Sequence, residues 1–220
     1  MTRTTLLLVT ICSGLFCVGQ VPVRDEPHHH NIFENEYLRV LDVHIGPADT
    51  TQFHEHNTPS VFFTFSKTFT TSQLIGRQPS RSSASNPGPP SYDSLGTPRI
   101  HRVWNDDTTW FRVMDIELKT GKPKSNQAVI QNSLLTLAFN RYLAIGYWVK
   151  LKTGESIDLP SPTMGYLLVS QGDATIQYRG GNSKQLQFMK AGHYIWIQPG
   201  EILSLTNSSN LANFMLLQIK

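Results

Sequence analysis

The sequence predicts an all-β protein built from two similar modules in tandem. Short runs rich in β-branched and aromatic residues alternate with turn residues along most of the 220-residue chain, a pattern typical of β-sandwiches and β-barrels. The 13 prolines and 15 glycines argue against long helices. Sequence segments of the first half also return in the second half in the same order.

The composition argues against several other classes of protein. Hydrophobic residues make up 39% of the chain, enough for a sizeable core, and charged residues make up 16%, against about a quarter in a typical soluble domain. Such values argue against a disordered chain or a coiled coil. The net charge of +3, with both signs mixed, lacks the strongly basic character of a nucleic-acid binder. We therefore expect no nucleic-acid partner.

The N-terminal residues 1–19 are predicted to be a secretory signal peptide. One positive charge at Arg3 precedes a short apolar run, and small residues follow around Gly19, where cleavage is expected. The run is shorter than the roughly 20 residues that a membrane-spanning helix needs, so we expect export to the periplasm or the extracellular space without stable membrane insertion. Cys12 and Cys17 would leave with the peptide, which removes every thiol nucleophile.

The predicted strands follow from the short apolar runs. In chain order they lie at residues 38–45, 61–65, 110–118, 144–151, 166–170, 174–178, 194–197 and 214–219. Residues 77–99 are dense in serine, proline and glycine and lack apolar periodicity. We interpret them as a long loop, which is either a functional lid or a mobile insertion.

An internal repeat divides the chain. Asn-Glu-Tyr-Leu at residues 35–38 returns as Asn-Arg-Tyr-Leu at residues 140–143, and His-Arg-Val-Trp-Asn at 101–105 matches Leu-Ser-Leu-Thr-Asn at 203–207. The predicted organisation is a signal peptide at residues 1–19, an N-terminal module at residues 20–122 and a C-terminal module at residues 123–220. The linker between the modules lies around residues 120–127.

Two histidines in the first module indicate metal chemistry. His54 and His56 are two positions apart, so on a strand their side chains point to the same face. A third histidine, His101, follows a turn-rich segment. Imidazole is a ligand for zinc, iron, copper and nickel, so a pair on one face forms half of a metal site.

These residues also carry a family resemblance. The run from Gly46 to His56, followed by an apolar strand and later by His101-x-x-x-Asn105, resembles the two motifs of the cupin superfamily. Because the second module repeats this frame, the chain resembles a bicupin with a degenerate second module. The resemblance implies two tandem double-sheet jelly-roll barrels. It also implies that His54, His56 and His101 are metal ligands and that Asn105 is structural.

The chain departs from the cupin motif at one ligand. The family's glutamate would fall at Ser60 or Val61, which carry no carboxylate, and Glu55 should face away from the two histidines. A site with three histidines and open positions remains chemically sensible, because catalytic metals commonly keep three protein ligands. The expected cofactor is one divalent transition metal, with Fe, Mn, Zn, Ni and Cu not distinguished.

The second module is predicted to lack a metal site. Pro160, Pro162 and Leu203 take the places of the three histidines, and none of these side chains can bind a metal ion. We expect its interior to be an ordinary apolar core or an apolar pocket, with a structural or substrate-shaping role.

Other residues were weighed as parts of a site. Candidates for the apolar walls of a pocket are Phe53, Phe63, Phe65 and Trp104, with Phe63 and Phe65 on one face of their strand. The three histidines at residues 28–30 are interpreted as a polar lead-in and not as a site.

These observations leave several functions open. The first is a metal-dependent cupin enzyme, of oxygenase or isomerase type, that acts on a small organic molecule in the N-terminal barrel. The second is a non-catalytic extracytoplasmic protein that binds a small molecule or a carbohydrate. A third is a structural part of an assembly, and a homodimer is one such assembly. The sequence contains neither a Gly-rich phosphate loop nor an HExxH motif, so nucleotide hydrolysis and zincin proteolysis lack support.

Overall fold

The structure is a computed structural model that describes residues 20–82, 84–119, 123, 125–180 and 183–220. The predicted signal peptide and both cysteines lie outside the described residues, as do residues 120–122 and 124 of the predicted linker. The module boundary at 122/123 therefore stays a prediction. Among the described residues, no helix is long and apolar enough to cross a membrane.

The first part of the chain folds into two facing β-sheets, as expected for the all-β class. Its sheets have the strand orders β1-β4-β9-β6-β7 and β2-β3-β10-β5-β8. A single 3-10 turn at Val23–Asp25 interrupts the described strands of this part. The strands are β1 (Val21–Pro22), β2 (His29–Glu34), β3 (Leu38–Ile45), β4 (His54–His56), β5 (Ser60–Thr64), β6 (Thr70–Leu74), β7 (Ser80–Arg81), β8 (Ser91–Asp93), β9 (Arg99–Asn105) and β10 (Phe111–Leu118).

The second part repeats this architecture. The strands are β11 (Leu135–Asn140), β12 (Ala144–Leu151), β13 (Ser156–Leu159), β14 (Tyr166–Ser170), β15 (Ala174–Gly180), β16 (Ser183–Met189), β17 (Tyr194–Ile197), β18 (Leu203–Asn207) and β19 (Ala212–Ile219). They form sheets of order β11-β12-β19-β14-β17 and β13-β18-β15-β16. Position by position, these two sheet orders correspond to the orders β2-β3-β10-β5-β8 and β4-β9-β6-β7 of the first part. The internal repeat is therefore visible in the topology.

The two parts pack against each other sheet to sheet. One apolar cluster contains Phe63 and Met114 from the first part together with Trp148, Leu167 and Met215 from the second. The rings of Phe63 and Trp148 meet edge to face, with centroids 5.7 Å apart. Strand β12 is consequently buried on both faces, because one face meets its own core and the other meets the first part. This explains its apolar run without alternation.

Two asparagines hold equivalent corners of the two parts. Asn105 donates from Nδ2 to the carbonyl oxygen of Ile45 at 2.9 Å, at the end of β3. Asn207 donates from Nδ2 to the carbonyl oxygen of Leu151, also at 2.9 Å, at the end of β12. Both side chains are buried. The asparagine of the second motif is thus structural in both parts.

The segment 77–99 is more ordered in the structure than predicted. It contains the short strands β7 and β8, which pair with β6 and β5. The hydroxyl groups of Ser82 and Thr70 lie 2.8 Å apart, and those of Ser85 and Thr68 lie 3.0 Å apart. The segment is therefore the predicted long loop, with two short strands within it. This segment lacks an apolar pattern, and hydrogen bonds of hydroxyl and backbone groups hold it in place.

Candidate metal centre

The three predicted ligand histidines converge inside the first barrel. His54 on β4 lies directly opposite His101 on β9 in the antiparallel pairing, and His56 follows on the same face of β4. Their candidate ligand atoms all lie within 4.8 Å of one another. His54 and His56 are buried, with 1% and 3% of their surface exposed. Alternation along two paired strands is enough to produce this cluster.

In both His54 and His56, the ring nitrogen Nδ1 faces an oxygen atom. Nδ1 of His54 donates to the carbonyl oxygen of Gln52 at 2.9 Å, because a carbonyl can only accept. Nδ1 of His56 lies 3.5 Å from Oδ2 of Asp115. At the centre, Nε2 of His56 and Nε2 of His101 are 3.0 Å apart. A histidine that binds a metal ion usually directs its other ring nitrogen to a carbonyl or carboxylate, as His54 and His56 do here.

Burial keeps the three imidazoles neutral. It lowers the pKa of His54 to about 4, of His56 to about 2 and of His101 to about 3. Neighbouring rings lower these pKa values further, and so does the positive charge of Arg99. The neutral imidazole is the form that offers a lone pair to a metal ion.

A buried carboxylate next to the histidines was missed in the sequence. Asp115 is 1% exposed, and the side chains of Ser60 and His56 face it. Burial raises the pKa of Asp115 to about 7. A signal was available, since Asp115 is an acidic residue in the otherwise apolar stretch from Val113 to Ile116.

These residues fit a divalent transition metal. They offer three neutral imidazoles and a carboxylate behind one of them. His54, His56 and His101 would hold the ion, and the Nε2 atoms of His56 and His101 are already only 3.0 Å apart. A buried carboxylate needs hydrogen-bond donors, and a metal-bound His56 would direct its Nδ1 hydrogen to Asp115.

A cavity of about 340 Å³ opens beside the three histidines. Its walls are mostly apolar and include Phe62 and Phe111. Hydroxyl groups complete the lining, from Thr51, Thr64, Thr70, Ser72, Ser82 and Ser85. Of the residues that the structure describes, no lysine or arginine lines this cavity. The volume is at the lower end of the range for small-molecule sites.

The four predicted wall residues lie elsewhere. Phe63 packs in the interface between the two parts and Phe65 packs against Phe63, with ring centroids 5.2 Å apart. The expectation that they share a face holds, but this face points away from the cavity, because the alternate positions Phe62 and Thr64 line the cavity.

Phe53 and Trp104 are also outside the cavity. Phe53 directly precedes the inward residue His54, and Trp104 follows the inward residue Val103 on β9, so alternation turns both to the outer face. There the guanidinium of Arg102 lies 4.7 Å from the ring centre of Phe53 and 4.4 Å from that of Trp104. The two rings hold Arg102 between them, as a surface cation–π arrangement.

The interpretation of the three histidines at residues 28–30 needs a correction for one of them. His29 is 8% exposed and lines the cavity, and its ring centre is 4.6 Å from that of His54. His30 is exposed and lies beside His44 on the outer surface, with ring centres 5.8 Å apart. The interpretation as a polar lead-in is therefore wrong for His29.

The carboxylate of Glu26 holds His29 in place. Glu26 is 1% exposed and accepts from Nδ1 of His29 at 2.6 Å, from His28 and from the backbone N–H of Gln52 at 3.1 Å. Burial alone would raise its pKa, but the hydrogen bonds from these groups outweigh burial and lower the pKa to about 2. Glu26 is therefore a charged anchor at neutral pH.

Among the described residues of the second part, apolar side chains take the place of the histidines. Leu159 lies opposite Leu203, as His54 lies opposite His101. The prediction placed Pro160 at this position, and the strand register moves it by one residue. Leu159 and Leu203 belong to a buried apolar cluster together with Ile157, Tyr166 and Phe214. The expected apolar interior is confirmed.

Comparisons with known proteins address the fold. No family model and no curated protein matches the sequence. Among solved structures, the cupin 2 conserved barrel domain protein from Leptotrichia buccalis is 9% identical, with a TM-score of 0.57 over 87% of this chain and 88% of that chain. Salicylate 1,2-dioxygenase from Pseudoaminobacter salicylatoxidans is 10% identical, with a TM-score of 0.57 over 85% and 70%. The YhaK protein from Escherichia coli is 13% identical, with a TM-score of 0.57 over 88% and 92%.

These likenesses show the fold of the chain. Each extends over most of both proteins, so it includes both parts of this chain and not a single barrel. The chain therefore has the same double-barrel fold as these proteins, one of which is a cupin 2 barrel protein. The predicted all-β class of two tandem jelly-roll barrels is confirmed.

Proposed function

We propose that this chain is an exported bicupin that binds one divalent transition metal through His54, His56 and His101 and acts as an oxygenase on a small organic molecule. The observation that carries this proposal is the convergence of three neutral imidazoles beside an apolar cavity. The fold likeness to a salicylate 1,2-dioxygenase supports the oxygenase type over the isomerase type.

A metal held by three protein ligands supplies open positions at which a substrate oxygen is polarised or dioxygen is activated. The chain itself supplies the surroundings. Gln52 and Asp115 orient the imidazoles of His54 and His56. Phe62 and Phe111 exclude water from the side of the cavity that receives the organic molecule.

The second barrel has a supporting role in this proposal. Its Trp148 packs on Phe63, directly behind the strand that presents Phe62 to the cavity. The apolar contact between the two barrels thus supports the back of the cavity wall, and the second barrel takes no part in the chemistry.

Metal content tests the proposal without knowledge of the substrate. We expect one metal ion per chain by elemental analysis of the wild type and well below one in His54→Ala, His56→Ala or His101→Ala. His44→Ala is the matched control, because His44 lies on the outer surface, where it pairs with Asp42. Oxygen consumption that persists in the triple His→Ala variant would contradict the enzymatic proposal.

A non-catalytic binding protein is the second candidate. The second barrel supports this candidate, because Leu159 lies opposite Leu203 where the first barrel pairs His54 with His101. Metal content well below one per chain in wild-type protein purified without chelators would favour this candidate. Export is tested separately, by N-terminal sequencing of the secreted protein, which we expect to begin at Gln20.

A further inference from the structure

Of the residues that the structure describes, six serines and threonines line the cavity, and four of them form hydrogen bonds within the protein. The hydroxyl groups of Thr70 and Ser82 lie 2.8 Å apart, and Ser82 also donates to the carbonyl oxygen of Thr70 at 2.8 Å. Ser85 donates to backbone carbonyl oxygens, and Thr51 accepts from the backbone N–H of Val103 at 2.8 Å. These four hydroxyl groups hold the cavity wall itself.

Thr64 and Ser72 are the other two, and their hydroxyl groups are free. Neither has a hydrogen-bond partner in the part of the chain that the structure describes. Both residues are partly exposed, and both line the cavity. A hydroxyl group in an apolar wall loses its hydrogen bonds to water unless another partner replaces them. A molecule in the cavity can supply that partner.

The two free hydroxyl groups enter the cavity from facing sheets. Thr64 on β5 lies opposite Val113 on β10, and Ser72 on β6 lies opposite Val103 on β9. Strand β5 also pairs with β8, and β6 also pairs with β7. Because β7 and β8 belong to the segment 77–99, both hydroxyl groups lie on the side of the barrel that this segment covers.

The candidate metal ligands lie on the other side of the cavity. His54 and His56 are on β4, which β9 separates from β6, so they are about 10 Å across the sheet from Ser72 at about 4.8 Å between neighbouring strands. His101 on β9 lies opposite Leu74. Ser72 is two residues from Leu74, about 7 Å along the strand. The cavity therefore has imidazoles at one end and free hydroxyl groups at the other.

Apolar side chains make up most of the remaining wall, with Phe62, Val103, Phe111 and Val113 among them. A molecule that fills this cavity therefore needs three parts. Oxygen atoms at one end suit the metal, and carboxylate oxygens are common ligands of divalent ions. An apolar body suits the middle. A polar group suits the far end, where a hydroxyl group can donate to one side chain and accept from the other.

We propose that Thr64 and Ser72 bind a polar group of the substrate at the end remote from the metal. The site would then take small molecules with a metal-binding carboxylate or similar oxygen group at one end, an apolar body and a hydroxyl group at the other end. This inference rests on the proposed function and deepens it, because it names a substrate class and two residues that determine specificity.

Matched pairs of rigid probes test the inference on the cobalt-loaded mature chain. Each of 3- and 4-hydroxybenzoate is compared with the methylbenzoate of the same shape, and the visible absorption of cobalt reports binding. The double variant Thr64→Val, Ser72→Ala removes both hydroxyl groups with little change in the shape of the wall. We expect it to bind at least one hydroxybenzoate about five- to tenfold more weakly than the wild type, the size expected for lost hydrogen bonds. Its affinity for the methylbenzoates should not fall.

Thr71→Val is the matched control, because Thr71 is the neighbour of Ser72 on β6 and its hydroxyl group bonds to Asp106 outside the cavity. This variant should bind all four probes as the wild type does. Thr64→Ser, which keeps the hydroxyl group, should retain the wild-type affinities. Thermal unfolding of each variant accompanies the titrations, and the single variants Thr64→Val and Ser72→Ala replace the double variant if it does not fold.

The outcomes separate the inference from the proposed function. An equal loss of affinity for hydroxybenzoates and methylbenzoates would show that the two residues only shape the wall, and this would overturn the inference. Unchanged affinities would also overturn it, as would a cobalt-loaded wild type that binds none of the four probes. A wild type that binds no cobalt would instead contradict the proposed function.

Discussion

Nε2 of His56 lies 3.0 Å from Nε2 of His101, although the two residues are 45 positions apart in the chain. Without an ion, one nitrogen donates its hydrogen to the other, because a neutral imidazole has one donor and one acceptor. With an ion, both Nε2 atoms must offer lone pairs. The hydrogen of His56 then resides on Nδ1, which faces Asp115 at 3.5 Å. Asp115 thus favours the form of His56 that can bind a metal.

The first prediction concerns Asp115→Asn. An amide oxygen is a weaker acceptor than a carboxylate, so the metal-binding form of His56 should be less favoured. Loss of such an outer partner typically costs about 10- to 100-fold in metal affinity, and we expect a value in this range from competition with a chromophoric chelator. Asp158→Asn, at an exposed position of the second barrel, should leave the affinity unchanged. Equal affinities for both variants would assign Asp115 no part in metal binding.

Two of the three candidate ligands could be predicted because their spacing is local. Spacing by two on a strand places His54 and His56 on one face wherever that strand lies. The walls could not be predicted in the same way. Alternation shows that Phe63 and Phe65 share a face, but which face points inward depends on Trp148, a residue of the other barrel. The position of His29 in the site could not be predicted either, because it depends on the pairing of β1 with β4.

The two equivalent asparagines give the second prediction. Asn105→Ala and Asn207→Ala each remove the donor to a buried carbonyl at the end of a central strand. Leaving a buried acceptor unpaired costs about 1–3 kcal/mol, and we expect a loss of this size in the free energy of unfolding from urea denaturation. Asn86→Ala, at an exposed position, should cost little. If only one of the two substitutions lowered the free energy of unfolding, the two asparagines would be equivalent in geometry but not in their contribution to stability.

The third prediction concerns the contact between the two parts. Arg112 donates from Nη1 to the carbonyl oxygen of Ala191 at 2.9 Å, and a Cβ at Gly192 would overlap the guanidinium of Arg112. Gly192→Ala should therefore displace Arg112. Gly154→Ala is a matched control, since both glycines have positive φ, +82° and +79°, but a Cβ at Gly154 meets nothing within 4 Å. We expect thermal unfolding to show a larger loss of stability for Gly192→Ala than for Gly154→Ala, and equal losses would contradict the role of Arg112.

The fourth prediction is a pH dependence at the same contact. Burial alone would raise the pKa of Asp42, but hydrogen bonds from Arg112 and His44 outweigh it and lower the pKa below its usual value. A lowered carboxyl pKa stabilises the fold fully above the unfolded-state pKa, and this stabilisation is lost as the pH falls through the folded-state pKa. Asp42→Asn should thus destabilise the protein at pH 7, and its deficit relative to wild type should shrink below about pH 4. A deficit that is constant with pH in urea denaturation would exclude this linkage.

The fifth prediction concerns the segment 77–99, which forms part of the cavity wall. Ser85 donates to the carbonyl oxygens of Ser66 and Thr68, each at 3.1 Å, and also accepts from the backbone N–H of Thr68 at 3.2 Å. Ser85→Ala removes all three bonds at one point. The segment should then open more often, because its short strands bury little apolar surface. We expect limited proteolysis within residues 77–99 to become several-fold faster, with global stability nearly unchanged. Ser91→Ala, at an exposed position of the same segment, should be cleaved at the wild-type rate, and faster cleavage of both variants would show that Ser85 does not hold the wall.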